Sequence, residues 1–159
     1  MSPTIYTIGH GDQQLDELFA LLERWGIELL VDVRSFPSSK RHPQFNKSSL
    51  VGECTRRGIV YNWGEMLGGR PRDRSLWIDD ETPDYRAISA TPAFQRAIHD
   101  LVGAAGESRT AIMCPESRPE HCHRTLLLTA PLIEEGADVK HILRDGSVLE
   151  EVAATKRLL

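Results

Sequence analysis

No part of this 159-residue chain approaches the ~20 consecutive apolar residues that a membrane-spanning helix needs. The amino terminus, MSPTIYTIGH, lacks a basic patch followed by an apolar run and a small-residue cleavage site. No secretory signal is therefore expected, and the cytoplasm is the expected compartment. Cysteine is scarce and odd in number. Cys54, Cys114 and Cys122 are too few for a disulfide framework, and a reducing compartment keeps them as thiols. Internal repeats and low-complexity tracts are missing as well, which argues against solenoids and linker-rich architectures.

With hydrophobic residues at 40% and charged residues at 26%, the composition is that of a soluble globular protein. The length fits one domain over residues 1–159 with a core of its own. The net charge of −4 is unevenly spread: from Arg34 to Arg74 nine basic residues face three acids. Phe36, Phe45, Tyr61 and Trp63 are interleaved with them, a mixture that suits phosphates together with a flat base or ring. Lys40, Arg41, Lys47 and Arg70 are the candidate contacts to a nucleic-acid backbone, DNA or RNA. The plainer alternative is a solvated surface with core aromatics between the charges.

Hydrophobic patterning alternates strand and helix. TIYTI (4–8) is a short buried strand stopped by Gly9, and Asp12 is placed to cap a helix with Leu15, Leu18, Phe19, Leu22 and Trp25 on one face. IELLVDV (27–33) is a nearly continuous apolar run, as in a strand covered on both sides. A long loop spans SFPSSKRHPQFNK, and a helix over 48–57 ends at Gly58. IVYNW (59–63) is a third strand, followed by a Gly/Pro/Arg loop and an irregular stretch over 76–90. Thr91-Pro92 opens a helix with Phe94, Ile98 and Leu101 inward, and RTAIMC (109–114) is a fourth strand. A helix over about 120–135, with Leu126, Leu127, Ala130 and Ile133 inward, a fifth strand over 138–142 and a last helix over 148–158 complete the pattern. The expected fold is α/β: a single three-layer domain, a mostly parallel sheet of about five strands with helices on both faces.

In such sheets ligands bind beyond the carboxyl ends of the strands. Those ends carry His10, then Asp32 and Arg34, then Cys114 and Glu116, then His141, so residues up to about 130 positions apart are expected to share one cleft. One wall is MCPESRPEHCHR (113–124), in which Cys122, His123 and Arg124 are expected in the first turn of a helix. There the free N–H groups and the helix dipole favour a thiolate. Cys114 and Cys122 are candidate reactive thiols; buried, inert thiols are the alternative. Asp32 and Glu116 are candidate acid/base partners, as for cleavage of a glycosidic bond, with a structural pairing of Asp32 with Arg34 or Arg124 as the alternative. Arg34, Arg124 and His123 are candidate substrate contacts, as are His10 and His141. The cysteine spacing lacks the two short-spaced pairs of structural zinc. Zinc held with His10 or His141 stays an alternative, and otherwise no cofactor is expected. A phosphatase or sulfurtransferase loop is disfavoured, because no arginine closes a compact loop after either cysteine.

TIGH (7–10), VDVRSFPSS with PQFN, LGGR (67–70), MCPES with PEHCHR, and VKHI (139–142) together resemble the domain-of-unknown-function 488 family. The resemblance runs in order through nearly the whole chain. It implies a small cytosolic α/β domain whose shared polar residues correspond to His10, Asp32, Arg34, Asn46, Cys114, Glu116, Cys122, His123, Arg124 and His141. Gly11 stands where that family commonly has serine, and Pro115 where a small residue is usual. The functional expectation is an enzyme acting on a base or nucleotide unit, of base-excising or base-modifying type. Two alternatives stand beside it: a thiol-based or metal-assisted enzyme on a small molecule, and a non-catalytic nucleic-acid or ligand-binding regulatory domain.

Overall fold

In the computed structural model, which describes residues 2–151, the apolar runs become neighbouring strands of one sheet. These are β1 (Thr4–Gly9), β2 (Leu29–Asp32), β3 (Val60–Trp63), β4 (Thr110–Cys114), β5 (Asp138–Ile142) and β6 (Val148–Glu151). Their order is β3-β2-β4-β1-β5-β6. Every pairing is parallel except β5 with β6. Parallel pairing needs a crossover between strands, and the helices α1 (Leu15–Arg24), α2 (Lys47–Arg57), α3 (Tyr85–Ala90) and α4 (Pro92–Ala105) supply them.

Successive strand residues point to opposite faces, and the core divides accordingly. Ile5, Leu29, Val31, Val33 and Ile112 pack with Ile88, Phe94, Ile98 and Leu101 from α3 and α4. Tyr6, Ile8, Leu30, Ala111 and Met113 pack with Leu18, Phe19, Leu22, Leu50 and Cys54 from α1 and α2. The result is the expected three-layer α/β arrangement. No helix among the described residues is long and apolar enough to cross a membrane.

Three local expectations are corrected. Residues 148–151 form strand β6 rather than the start of a helix, so the sheet has six strands; 152–158 lie outside the described residues. A tight turn at Asp145-Gly146 reverses the chain onto β5, with Gly146 at φ +91 and Leu143 N–H bonded to the Ser147 carbonyl at 2.8 Å. Second, Gln14 rather than Asp12 precedes α1, its N–H donating to Glu17 at 2.9 Å, while Asp12 pairs with Arg144. Third, the single helix expected over 120–135 is broken. A 3₁₀ turn (Pro119–His121) leads to a π-helical segment (Arg124–Thr129) that runs into α5 (Ala130–Glu134). The wider π turn shifts the phase of the stripe, so Leu126 is 59% exposed and Leu128 is buried, with Leu127, Leu132 and Ile133 beside it.

Candidate functional site

Two close backbone approaches shape the carboxyl edge of the sheet. His10 N–H bonds the Cys114 carbonyl and Gly11 N–H the Pro115 carbonyl, both at 2.9 Å. A Cβ on Gly9 would fall 1.8 Å from the Glu116 carbonyl oxygen, so only glycine lets the two loops touch. At Gly68 a Cβ would fall 2.4 Å from Ser35 Oγ, which seats the loop after β3 against the loop after β2. Between these loops open two cavities of about 380 Å³ each. Arg34, Phe36, Ser38, Pro115 and Glu116 line both, so they form one cleft. His10 and Arg41 stand at one end, Arg70, Cys122 and His123 at the other.

Asp32 and Arg34 alternate at the end of β2 and form a buried pair. Asp32 accepts from Arg34 Nε at 2.8 Å and from Nη2 at 2.7 Å, and Tyr61 O–H donates to the same carboxylate at 2.6 Å. Tyr61 comes from β3, whose register sets Tyr61 opposite Leu30. Burial, and then the neighbouring carboxylate, pushes the Tyr61 phenol up, so it stays a donor. Both Asp32 oxygens are thereby occupied, and the carboxylate is fully buried.

The thiol end has a different logic. Cys122 is 4% exposed and opens into the cavity. Its carbonyl accepts from Leu126 N–H at 3.1 Å, so the residue sits at the cap of the following helical segment rather than within its first turn. His123 Nδ1 is 3.6 Å from the sulfur, and His123 Nε2 is 2.9 Å from the Val33 carbonyl oxygen. A carbonyl only accepts, so Nε2 carries a ring hydrogen and Nδ1 is the nitrogen that faces the sulfur. The neighbouring Cys114 thiol holds the Cys122 thiol well below the ordinary range; burial opposes, and His123 and the Arg124 backbone N–H reinforce the shift. Cys114, fully buried, is pushed well above the ordinary range by burial and by the same partner. Cys114 Sγ donates to the Glu116 carbonyl at 3.4 Å, and of the two thiols Cys122 is the one shifted toward the thiolate.

The remaining candidates divide. His10 lies in the cleft, stacked on Phe45 at 4.4 Å between centroids, and burial lowers its pKa to about 4. The Glu116 side chain is 40% exposed at the cleft and accepts from Arg118 N–H at 3.1 Å. Arg124 is fully buried behind the site, Nη1 to Thr7 Oγ1 at 3.3 Å and Nη2 to the Ser117 carbonyl at 2.7 Å. His141 continues that chain, bonded to Thr7 at 2.6 Å and to Glu151 at 2.8 Å. Asn46 Oδ1 accepts from Ser39 N–H at 2.7 Å and braces the long loop instead of lining the cleft wall described above. Lys47 lies over Trp63 at 5.2 Å, and Lys40 is exposed. Among the described residues no three His, Cys, Asp or Glu side chains converge as a metal site.

The basic segment is not one continuous patch. Arg41 and Arg70 line the cleft, whereas Arg57 faces Asp16, Glu23 and Glu53 on the α1–α2 side. Thr7, Tyr61, Ser117 and Glu151 were not among the candidates read from the sequence. Only Tyr61, an aromatic among the basic residues, carried any signal there.

The fold and these groups define a doubly covered, mostly parallel α/β domain with a thiol–imidazole pair at its carboxyl edge. The chain belongs to the family described as domain of unknown function DUF488, whose model matches residues 14–130. Comparison with curated proteins and with solved structures found no match.

Proposed function

We propose that the chain is an enzyme that modifies a base or nucleotide unit, free or within a nucleic acid, with Cys122 as nucleophile. The observation that carries the reading is the Cys122–His123–Val33 alignment opening into the cleft: nucleophile, imidazole and the carbonyl that orients the ring. Cys122 meets the substrate as the thiolate, with Cys114 and His123 beside the sulfur. The sulfur lone pair forms a bond to an electrophilic ring carbon, and the displaced π pair moves onto the conjugated ring heteroatom. The neighbouring ring carbon, made electron-rich by the addition, takes a proton from solvent; loss of a proton from that carbon with elimination of the sulfur then restores the ring and the thiolate, a net exchange of hydrogen on the ring. Arg34, which lines both halves of the cleft, offsets the charge that develops. A nucleotide fits the surroundings, because Phe36 is 55% exposed at the lip and Arg41 and Arg70 stand at the two ends. Modification is favoured over excision because the Asp32 oxygens are engaged by Arg34 and Tyr61.

The test is iodoacetamide labelling followed by peptide mass analysis across pH. Cys122 is expected to take the label first, with a midpoint well below the ~8.5 of a free thiol. The reaction is expected to slow in His123→Phe. First labelling of Cys54 or Cys114, or an ordinary midpoint at Cys122, sinks the nucleophile assignment. For the substrate, short single strands are expected to bind with an affinity that falls with salt. Arg41→Ala and Arg70→Ala should each lower the salt slope by about one; unaltered slopes would remove the strand contact.

A further inference from the structure

The thiolate chemistry leaves two buried polar atoms of the cleft without a partner. His10 and Arg34 are 2% and 3% exposed, line the same cavity, and keep His10 Nε2 and Arg34 Nη1 without a partner. Buried polar atoms left unpaired are destabilising, and native proteins hold few of them away from functional sites.

The polarity of each open atom is fixed by the other end of its side chain. His10 Nδ1 is 2.8 Å from the Gly11 carbonyl oxygen, so Nδ1 carries the hydrogen and Nε2 presents a lone pair. Burial keeps the ring neutral, the Gly11 carbonyl opposing and Arg34 and His42 reinforcing. Arg34 spends Nε and Nη2 on Asp32, which leaves Nη1 as a donor. The wall therefore shows one acceptor and one donor.

We infer that His10 and Arg34 read the edge of a planar heterocycle bearing a hydrogen-bond donor beside an acceptor, as on a nucleobase. The ring N–H or amino group donates to His10 Nε2, and the neighbouring carbonyl oxygen or ring nitrogen accepts from Arg34 Nη1. This rests on the reading of the substrate as a base or nucleotide and adds how the base is recognised. A phosphomonoester dianion or a carboxylate fits worse. Each presents only acceptors and would require a proton on a histidine that burial keeps neutral. Phe36 lines the same cavity and offers its exposed face for stacking. A volume of about 380 Å³ is in the range of small-molecule pockets.

Calorimetric titration of the whole chain with uridine, cytidine, guanosine and adenosine, against inorganic phosphate and ribose 5-phosphate, decides the matter. At least one nucleoside is expected to bind, and N-methylation of its donor–acceptor edge is expected to weaken binding about tenfold or more, because a site built to bond a polar edge rejects an analogue lacking it. Phosphate and ribose 5-phosphate are expected neither to bind nor to compete. The methylated ligands are tested on the unaltered protein, so the result does not depend on a variant folding. Nucleoside binding by the unaltered protein and iodoacetamide labelling of Cys122 are read separately, so base recognition stands or falls apart from the nucleophile assignment. Binding of phosphate without any nucleoside, equal binding of the methylated nucleoside, or binding of none of the four would overturn the inference.

Discussion

Arg57 and Arg34 come from the same basic stretch of sequence, yet the α1–α2 face and the cleft treat them in opposite ways. On α2, Arg57 meets Glu53, Glu23 and Asp16 and lies 5.2 Å from the Phe19 ring. In the cleft, Arg34 has one carboxylate and a nitrogen with no partner. The thiols repeat the contrast. Cys54 is buried among apolar side chains of the α1–α2 core, and burial alone pushes its pKa up to about 11. Cys122 is also buried, but a second thiol, an imidazole and a backbone N–H face it and move its pKa the other way. Burial by itself makes these groups inert; polar partners arranged within the burial make them reactive.

The largest expected effect breaks that contrast at its charges. Asp32→Ala strips Arg34 of its counter-charge in a fully buried position, and removing one partner of a buried pair costs about 3–5 kcal/mol. Glu23→Ala removes one of three carboxylates from Arg57 at a half-exposed site, where such changes stay within about 0.5 kcal/mol. Urea unfolding followed by circular dichroism measures both. Equal losses would mean that Arg34 is solvated and the cleft is no different from the surface.

Acid sharpens the same contrast. The folded-state pKa of His10 lies near 4, below its ordinary 6.5, so protons favour the unfolded chain. The stability this group contributes is complete above about pH 6.5 and is lost as pH falls toward 4, on the order of 3 kcal/mol. His10→Gln is expected to flatten that part of the stability curve. His141, also lowered by burial with Glu151 opposing, contributes to the residual slope in the same direction. An unchanged slope in His10→Gln would place the titration elsewhere.

Next in size is the thiol comparison. At pH 6.5 Cys122 is expected to react with iodoacetamide at least about 100-fold faster than Cys54, the one largely thiolate and the other almost wholly thiol. Cys114→Ala removes the neighbouring thiol that contributes most to the shift, so the Cys122 pKa rises and its rate at pH 6 falls by about tenfold. An unaffected rate would assign the activation to His123 and the Arg124 backbone N–H.

β1, β2 and β4 were legible as short, largely apolar runs covered on both faces, whereas β3 (VYNW) and β5 (DVKHI) were legible as short β-branched or aromatic stretches with polar residues between. The strand-end rule then gathers His10, Asp32, Arg34, Cys114 and Glu116 at one edge. What escaped depends on atoms without a residue signature. The carbonyls of Gly11 and Val33 orient two histidine rings, and any residue type supplies a carbonyl. Thr7 meets His141 through parallel register, and Glu151 reaches His141 across the β5–β6 pairing, a strand read from sequence as the start of a helix. The π-helical turn escaped too, because the hydrophobic stripe of 124–134 fits an ordinary helix nearly as well.

The smallest effect compares two glycines under one substitution. Gly52, within α2, has open space where a Cβ would stand, and Gly52→Ala is expected to stabilise the fold by about 0.5–1 kcal/mol by removing a helix-interior glycine. Gly11 has φ +52, and its Cβ would come 2.8 Å from Ser117 Oγ, so Gly11→Ala is expected to destabilise by about 1–2 kcal/mol. Two causes are mixed at Gly11, and a double-mutant cycle separates them. In a Ser117→Gly background the close contact is gone, and only the backbone share of the Gly11→Ala loss should remain. A loss that vanishes entirely in that background would assign the glycine to crowding by Ser117. In that case a chain with serine at position 11 needs only a smaller neighbour at 117 to accommodate it, and the cleft keeps the same backbone in both.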